Sequence, residues 1–375
     1  VGSASGFLQQ FGSERFMNEN SENMIILDEF DPAAQTALRT GWLHGKRLLA
    51  REVLVSEPEG VQVIFEEIPK TQTKPQGLAP WLQAIRAFSL TATVTPCVAV
   101  LLYAHVTSSA LRLGSAFAAL LGVCFLQIAV NVFNDIEDYR KLIDLPNTTG
   151  GSGVIQSGFW TPLELSKIAW GAFALGSALG GYALFFEFQH LWVIALLAGI
   201  GVLGYSAKSF GFKYKALGDL IVLALCGPIL TLGYSIAATG GFWDKQVIFI
   251  GLYFGLLAMG LLHVNNIQDM NLDRCRGITT LALKLGFRRA KYFLYFIYFS
   301  TYVLLYLLHF QKFLFGFPIV AFIGESLILV PFLKSIRKAS GPESQTLSQS
   351  RFKAAQVHLV SGLALCVNIF LGQYL

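Results

Sequence analysis

Nine apolar runs, each about 20 residues long, restrict this chain more than any other feature. They fall near residues 82–105, 111–134, 164–186, 191–207, 218–239, 246–268, 290–310, 314–333 and 354–374. A segment in hydrocarbon must satisfy its own backbone N–H and C=O groups, so only helices and closed barrels cross a bilayer. Continuous runs fit helices, whereas a barrel needs alternating segments of about ten residues. The expected fold class is therefore all-α, a polytopic bundle of about nine transmembrane helices. Composition agrees, with 14% charged residues against about a quarter in a soluble domain. Glu187-Phe188-Gln189-His190 alone separates the third and fourth runs and predicts a tight antiparallel hairpin. Gly176, Gly180 and Gly181, then Gly199, Gly201 and Gly204, permit close helix packing or local flexibility.

The segment ahead of the first run is different material. Residues 1–76 are polar and hold no spanning run, which predicts a soluble cytoplasmic extension before a transmembrane domain at 77–375. Asp31 before Pro32 marks a helix start, with the helix expected to reach about Ala50. Two short strands, 51–55 and 61–68, flank the turn Glu57-Pro58-Glu59-Gly60, and 69–80 reads as a linker. No chemistry is legible there. The chain opens on Val1, so its start need not be the natural one, and no cleavable signal peptide is visible. The five cysteines are odd in number and scattered without a CxxC spacing, so neither a disulfide framework nor structural zinc is expected.

Charge is informative through its placement. The net charge of +5 is modest, and no nucleic-acid partner is expected. One set of loops carries Arg140 and Lys141, then Lys208, Lys213 and Lys215. It continues with Arg274, Arg276, Lys284, Arg288, Arg289 and Lys291, and ends with Lys334, Arg337, Lys338, Arg351 and Lys353. The other set carries little beyond Arg112, Lys245 and Lys312. By the positive-inside rule the first set is cytoplasmic.

Two acidic motifs end apolar runs on that same side. In Asn131-Val132-Phe133-Asn134-Asp135-Ile136-Glu137-Asp138, helical spacing puts Asn131, Asp135 and Asp138 on one face. In Asn265-Asn266-Ile267-Gln268-Asp269-Met270-Asn271-Leu272-Asp273, Asn265, Asp269 and Asp273 repeat the idea at i, i+4 and i+8. Carboxylates a turn apart at a membrane edge repel one another and resist desolvation. A divalent cation between them removes both problems. Mg²⁺ takes oxygen ligands and commonly binds through a few carboxylates plus substrate phosphates. Asp135, Asp138, Asp269 and Asp273 are the expected metal ligands, with Asn131 and Asn265 as neutral donors on the same faces. One motif alone could be a solvated acidic helix end; its repetition on one side favours a Mg²⁺–diphosphate site.

Neighbouring residues have two readings each. Asp144 either supports the site or belongs only to its loop. Lys213 and Lys215 could touch diphosphate or merely obey membrane topology, and Arg274 and Arg276 face the same choice. The glycine loop 150–158 lacks the Gly-Lys-Ser/Thr ending of a P-loop and is a lid or a plain connector. His263 is more naturally structural than a base, and Cys275 has no evident task.

At these residues the sequence resembles the UbiA superfamily of membrane prenyltransferases, within it the 1,4-dihydroxy-2-naphthoate prenyltransferase (MenA-like) branch, over about 80–375. Asn131-x2-Asn134-Asp135-x2-Asp138-x5-Asp144 is similar to the branch's first motif. Asn265-Asn266-x2-Asp269-x3-Asp273-x3-Gly277-x2-Thr280-Leu281-Ala282-x2-Leu285-Gly286 is similar to its second. Gly211-Phe212-Lys213-Tyr214-x2-Leu217-Gly218-Asp219, followed by Gly227-Pro228, resembles its intervening stretch, and 150–158 its first loop. The resemblance implies a bundle whose two motifs cap a central cavity with two Mg²⁺ ions and a lateral opening for a lipid tail. It implies a metal–diphosphate role for Asn131, Asp135, Asp138, Asp269 and Asp273, and substrate contacts at Asn134, Tyr205, Lys213, Asn265 and Arg276. Two departures stand out: Gln268 replaces an arginine common before Asp269, and Leu142 a glycine common before Asp144.

The implied activity is Mg²⁺-dependent transfer of a prenyl group from a polyprenyl diphosphate to an aromatic acceptor. The expected acceptor is 1,4-dihydroxy-2-naphthoate in menaquinone biosynthesis, in a bacterial inner membrane with the site facing the cytoplasm. Rival acceptors are 4-hydroxybenzoate, homogentisate or another phenol, and a chlorophyllide-type acid. From other classes come a non-catalytic prenyl-lipid-binding protein and a transporter. A transporter needs acidic residues near the midplane, and here they sit at helix ends.

Overall fold

A computed structural model describes residues 23–56, 60–69, 76–107, 110–146, 151–206, 211–241, 244–275, 277–310 and 318–372. Two compact units emerge: Val1–Ala87 with Ala129–Gly171, and Phe88–Ile128 with Ala172–Leu375.

In the first unit, strands β1 (Met24–Asp28), β2 (Trp42–Leu43), β3 (Lys46–Ser56) and β4 (Gly60–Glu67) form an antiparallel sheet of order β1-β4-β3-β2. Helix α1 (Pro32–Thr40) starts where Asp31 accepts the Ala33 N–H at 2.7 Å and Pro32 occupies the first turn. Ala34, Ala37 and Leu38 are buried on α1, as are Leu48, Leu49, Ala50, Val63 and Phe65 on the sheet. The helix expected to reach Ala50 stops ten residues sooner. Gly41 takes φ 75° and returns its N–H to Ala37, the left-handed cap that favours glycine. The chain then continues as β2 and β3. Strand β1 was not expected, because a five-residue apolar stretch in polar surroundings has no resolvable period. Helix α2 (Ala79–Ala84) begins inside the expected linker.

Two long helices pass from one unit to the other: α4 (Leu113–Arg140) and α5 (Pro162–Phe186). The second unit also holds α3 (Thr91–Val106) and α6 (Phe188–Ser206). After α7 (Gly218–Ala224) a π-turn, Leu225–Ile229, leads into α8 (Leu230–Thr239). Then come α9 (Lys245–Gln268), the short α10 (Met270–Cys275) and α11 (Leu281–Leu285), and α12 (Phe287–Phe310), α13 (Ile319–Lys338) and α14 (Ser350–Leu371). Among the described residues eight helices are long and apolar enough to cross a membrane. In α6 the apolar part, Phe188–Val202, is shorter. The chain is an integral, multi-pass membrane protein.

Helix α9 is the axis of the second unit. Two-thirds of its apolar window (67%) is buried, the largest share among the spans, and α12, α14, α7 and α3 pack against it. Close approach to the π-turn requires glycine: a Cβ on Gly251 would lie 2.3 Å from Thr231 Oγ1, and one on Gly255 2.4 Å from the Leu223 carbonyl. Gly227 leaves helical geometry just before Pro228, the usual combination at a helix break. Gly122 and Gly176 let α4 and α5 meet backbone to backbone, as small residues do in membranes.

Candidate functional site

The first motif ends α4. Asp135, Asp138, Asn131 and Asn134 are all buried. Asp138 accepts from Asn134 Nδ2 at 2.9 Å, one helical turn back. Asn131 Nδ2 donates to the Ile85 carbonyl at 3.2 Å. One oxygen of Asp135 pairs with Arg86, and the other accepts the Ser152 N–H at 3.3 Å. Ser152 is held in turn by Gln83 Nε2, which donates to its carbonyl at 2.7 Å.

The end of α4 sets the loop that follows. The Ile143 N–H reaches Asp138 O at 2.8 Å and the Leu142 N–H reaches Tyr139 O at 2.9 Å, with Leu142 at φ 57°. This is a Schellman cap, and it places a fully buried leucine where glycine is conformationally favoured. The departure noted at Leu142 therefore falls on a left-handed position. Past it, Asp144 is buried, and its carbonyl accepts from Gln156 at 2.8 Å. Gly151 (φ 62°) runs between the carboxylates: a Cβ there would lie 2.6 Å from Asp144 Oδ2, 3.3 Å from Asp135 Oδ1 and 3.5 Å from Arg86 Nη2. The structure thus gathers Asp144 and the glycine loop around Asp135; residues 147–150 lie outside the described residues.

The second motif ends α9. Asp269 pairs with Arg351 at the start of α14, and Gln268 Oε1 accepts from Arg351 Nε at 2.9 Å. Gln268 also donates to the Leu347 carbonyl. A guanidinium reaches Asp269 although residue 268 is not arginine. Asp273, on α10, is buried and accepts from Thr280 Oγ1 at 3.4 Å. Asn265 Oδ1 is buried with no hydrogen-bond partner among the described residues. His263 lies between Asp219, 3.0 Å from Nδ1, and the Ala290 carbonyl, 3.2 Å from Nε2. Asn266 donates to the same Asp219 at 3.4 Å. His263 is fully buried in this network, which braces the motif-bearing end of α9 against α7 and α12.

The basic stretch joins this second cluster. Lys213 sits in the short turn Phe212–Tyr214. The Thr279 N–H donates to the Tyr214 carbonyl at 3.3 Å and Lys215 bridges Thr279, next to Thr280. Gly204 packs on the Phe212 ring, which brings the end of α6, with half-buried Tyr205, to the same turn. Arg276 lies outside the described residues.

The donors fit a hard cation. Both clusters offer carboxylate and amide oxygens, the ligand type Mg²⁺ takes, and Asn265 Oδ1 is an oxygen without a partner among the described residues. Among the described residues no three His, Cys, Asp or Glu side chains form a ready-made cage. Arg86 and Arg351 were not singled out from sequence as partners of these aspartates. Arg351 looks like any other basic residue flanking a span and Arg86 falls inside the first apolar run, 82–105, and only tertiary structure brings them to Asp135 and Asp269.

The profile of the UbiA prenyltransferase family matches residues 93–355. A Drosophila melanogaster UbiA prenyltransferase domain-containing protein 1 homolog is 28% identical over 313 residues, covering 81% of this chain and 80% of the fly protein. A 1,4-dihydroxy-2-naphthoate octaprenyltransferase of Haemophilus influenzae is 30% identical over 176 residues, covering 44% of this chain and 56% of that enzyme. Among solved structures, a UbiA homolog from Archaeoglobus fulgidus bound to GPP and Mg²⁺ superposes with a TM-score of 0.54 at 16% identity. It covers 77% of this chain and 99% of the homolog.

Proposed function

The chain belongs to the UbiA prenyltransferase family, and we propose that it transfers a prenyl group from a polyprenyl diphosphate to an aromatic acceptor with Mg²⁺ as cofactor. One observation carries this reading. Each motif ends a helix in oxygen donors with a guanidinium beside its leading aspartate. A metal–diphosphate substrate needs both, carboxylates for the cation and cationic donors for phosphate oxygens. The GPP- and Mg²⁺-bound homolog of the same fold supports the choice of ligands.

Asp135, Asp138, Asp269 and Asp273 would hold Mg²⁺, with Asn131 and Asn265 beside them. Bound there, Mg²⁺ supplies charge neutralisation of the diphosphate as its oxygen takes the bonding pair. Arg86, Lys213, Arg276 and Arg351 offer cationic donors to phosphate oxygens, and Asn134 fixes Asp138. Tyr205 is assigned to substrate contact. The allylic C–O bond breaks with its electrons leaving on diphosphate. A ring carbon of the acceptor then forms the new C–C bond and loses its proton.

The favoured acceptor is 1,4-dihydroxy-2-naphthoate, as in menaquinone biosynthesis; the similarity to the Haemophilus influenzae enzyme supports it. The basic loops support a site on the cytoplasmic side; the membrane assigned is a bacterial inner membrane. Solubilised protein with Mg²⁺, labelled polyprenyl diphosphate and separate naphthoate, 4-hydroxybenzoate and homogentisate acceptors tests the reading. A prenylated naphthoate that vanishes with EDTA is expected. Prenylation of another phenol alone would move the acceptor assignment, and tight binding without any product would favour a prenyl-lipid-binding protein.

A further inference from the structure

The polar residues ahead of the first span carry no legible chemistry, yet they grip both ends of the loop that presents the first motif. At the leading end, fully buried Tyr139 follows Asp138, and its hydroxyl accepts the Ala50 N–H at 2.8 Å. Its neighbour Arg140 donates from Nη2 to the Arg39 carbonyl at 3.3 Å, in the last turn of α1. At the trailing end, Gly41 lies against the first residues of α5. A Cβ on Gly41 would fall 2.9 Å from Thr161 Cβ and 3.1 Å from Pro162 Cδ, at φ 75°. Between these two grips run Asp144, Gly151 and Ser152, the residues gathered about Asp135.

The sheet is built to make the first grip. Strand β2 pairs with β3 only at Lys46 and Arg47, so it leaves Ala50 uncovered on that side. The β3–β4 register pairs Ala50 with Phe65 and Glu52 with Ile64, which leaves Arg51 as the extra residue of a bulge. Bulges re-aim a strand and end regular pairing. Here the bulge follows directly on the residue whose N–H leaves the sheet for Tyr139.

We propose that the described residues of 24–68 are a positioning clamp for residues 141–146 and 151–161, with Tyr139 and Gly41 as its two jaws. The clamp fixes Asp144, Gly151 and Ser152 around Asp135, so that Mg²⁺–diphosphate binding at the first motif depends on this module. The inference rests on the proposed function of that motif. Tyr139 and Gly41 are positioning residues, since neither touches substrate in this account.

Tyr139→Phe removes one hydroxyl and keeps the ring; Gly41→Ala attacks the other jaw; Lys46→Ala, which breaks only an exposed pair with Glu67, is the control. The full chain is compared by hydrogen exchange of residues 151–158 without added Mg²⁺, and by the Mg²⁺ midpoint for binding inorganic diphosphate. Both jaw variants should exchange faster across 151–158 and need about two- to tenfold more Mg²⁺, the span of one net hydrogen bond. Exchange in α9 and the Lys46→Ala variant should match wild type. Unchanged exchange and midpoint in Tyr139→Phe would overturn the clamp. So would a lower melting temperature with an unchanged midpoint, which makes the module mere packing. If wild type itself binds no diphosphate with Mg²⁺, the reading of the motif fails, while the exchange data still decide whether the clamp exists.

Discussion

Replacing Arg86 with methionine keeps most of the side chain's apolar stem and removes the charge beside Asp135. The Asp135 side chain is only 4% exposed and that of Arg86 21%. Breaking a buried ion pair from one side costs about 3–5 kcal/mol, because a buried charge loses its partner. Partial exposure of Arg86 and the remaining Ser152 N–H reduce that to about 2 kcal/mol. The carboxylate has little room to escape, since the Gly151 backbone is packed against it. If Asp135 is a metal ligand, Mg²⁺ and the guanidinium compete for the same oxygens. Arg86→Met should then melt several degrees lower without Mg²⁺ and bind the ion more tightly, by about thirtyfold for a ~2 kcal/mol competition. Thermal unfolding of detergent-solubilised protein across a Mg²⁺ titration reads both effects, since a ligand that binds only the folded state raises its stability. A destabilised variant that Mg²⁺ fails to recover would mean that Asp135 needs an arginine and not a metal.

Asp135→Ala and Asp269→Ala should each abolish prenyl transfer while the protein still inserts; full activity in either sinks the metal assignment. Leu142→Ala and Leu142→Gly should both destabilise, because a fully buried leucine costs about 2–5 kcal/mol to truncate. Glycine should nevertheless be no worse than alanine in chemical denaturation, since relief of the left-handed conformation, about 1–2 kcal/mol, exceeds one buried methyl of about 0.8 kcal/mol. Glu325, fully buried in α13, accepts from Tyr253 at 2.8 Å and from Thr301, with no basic partner among the described residues. An unpaired charge there is costly, so Glu325→Gln should hold its melting temperature and Glu325→Lys should lose it.

The membrane spans were legible because a bilayer imposes length and apolarity together: eight of the nine runs fall on described helices long and apolar enough to cross, and the fourth falls on α6, whose apolar part is shorter. The first motif's face was legible for the same reason, as it ends a predictable helix; the second was legible only as far as Gln268, because α9 stops there, Asp269 turns and Asp273 lies on the separate α10. Leu142 shows a subtler signal: its departure from glycine marks a backbone position that the Schellman cap then explains. Gln268 shows the opposite. Its replacement of arginine suggests a lost charge, yet Arg351 restores one at Asp269 from a residue 82 positions away. Long-range partners of this kind leave no local pattern. The Ala50–Tyr139 bond, 89 residues apart, is hidden likewise, which is why the leading segment reads as inert. Strand β1 was missed because its pairing with β4 lies outside any short window.

The proposed function requires both motifs to serve one diphosphate, and binding stoichiometry reads whether they do. Calorimetric titration of a non-cleavable prenyl thiodiphosphate with Mg²⁺ into wild type, Asp135→Asn and Asp269→Asn is the measurement. One ligand per chain is expected in wild type, with binding lost in either single variant. Two ligands per chain, with each variant losing only one, would contradict it and make the motifs separate sites.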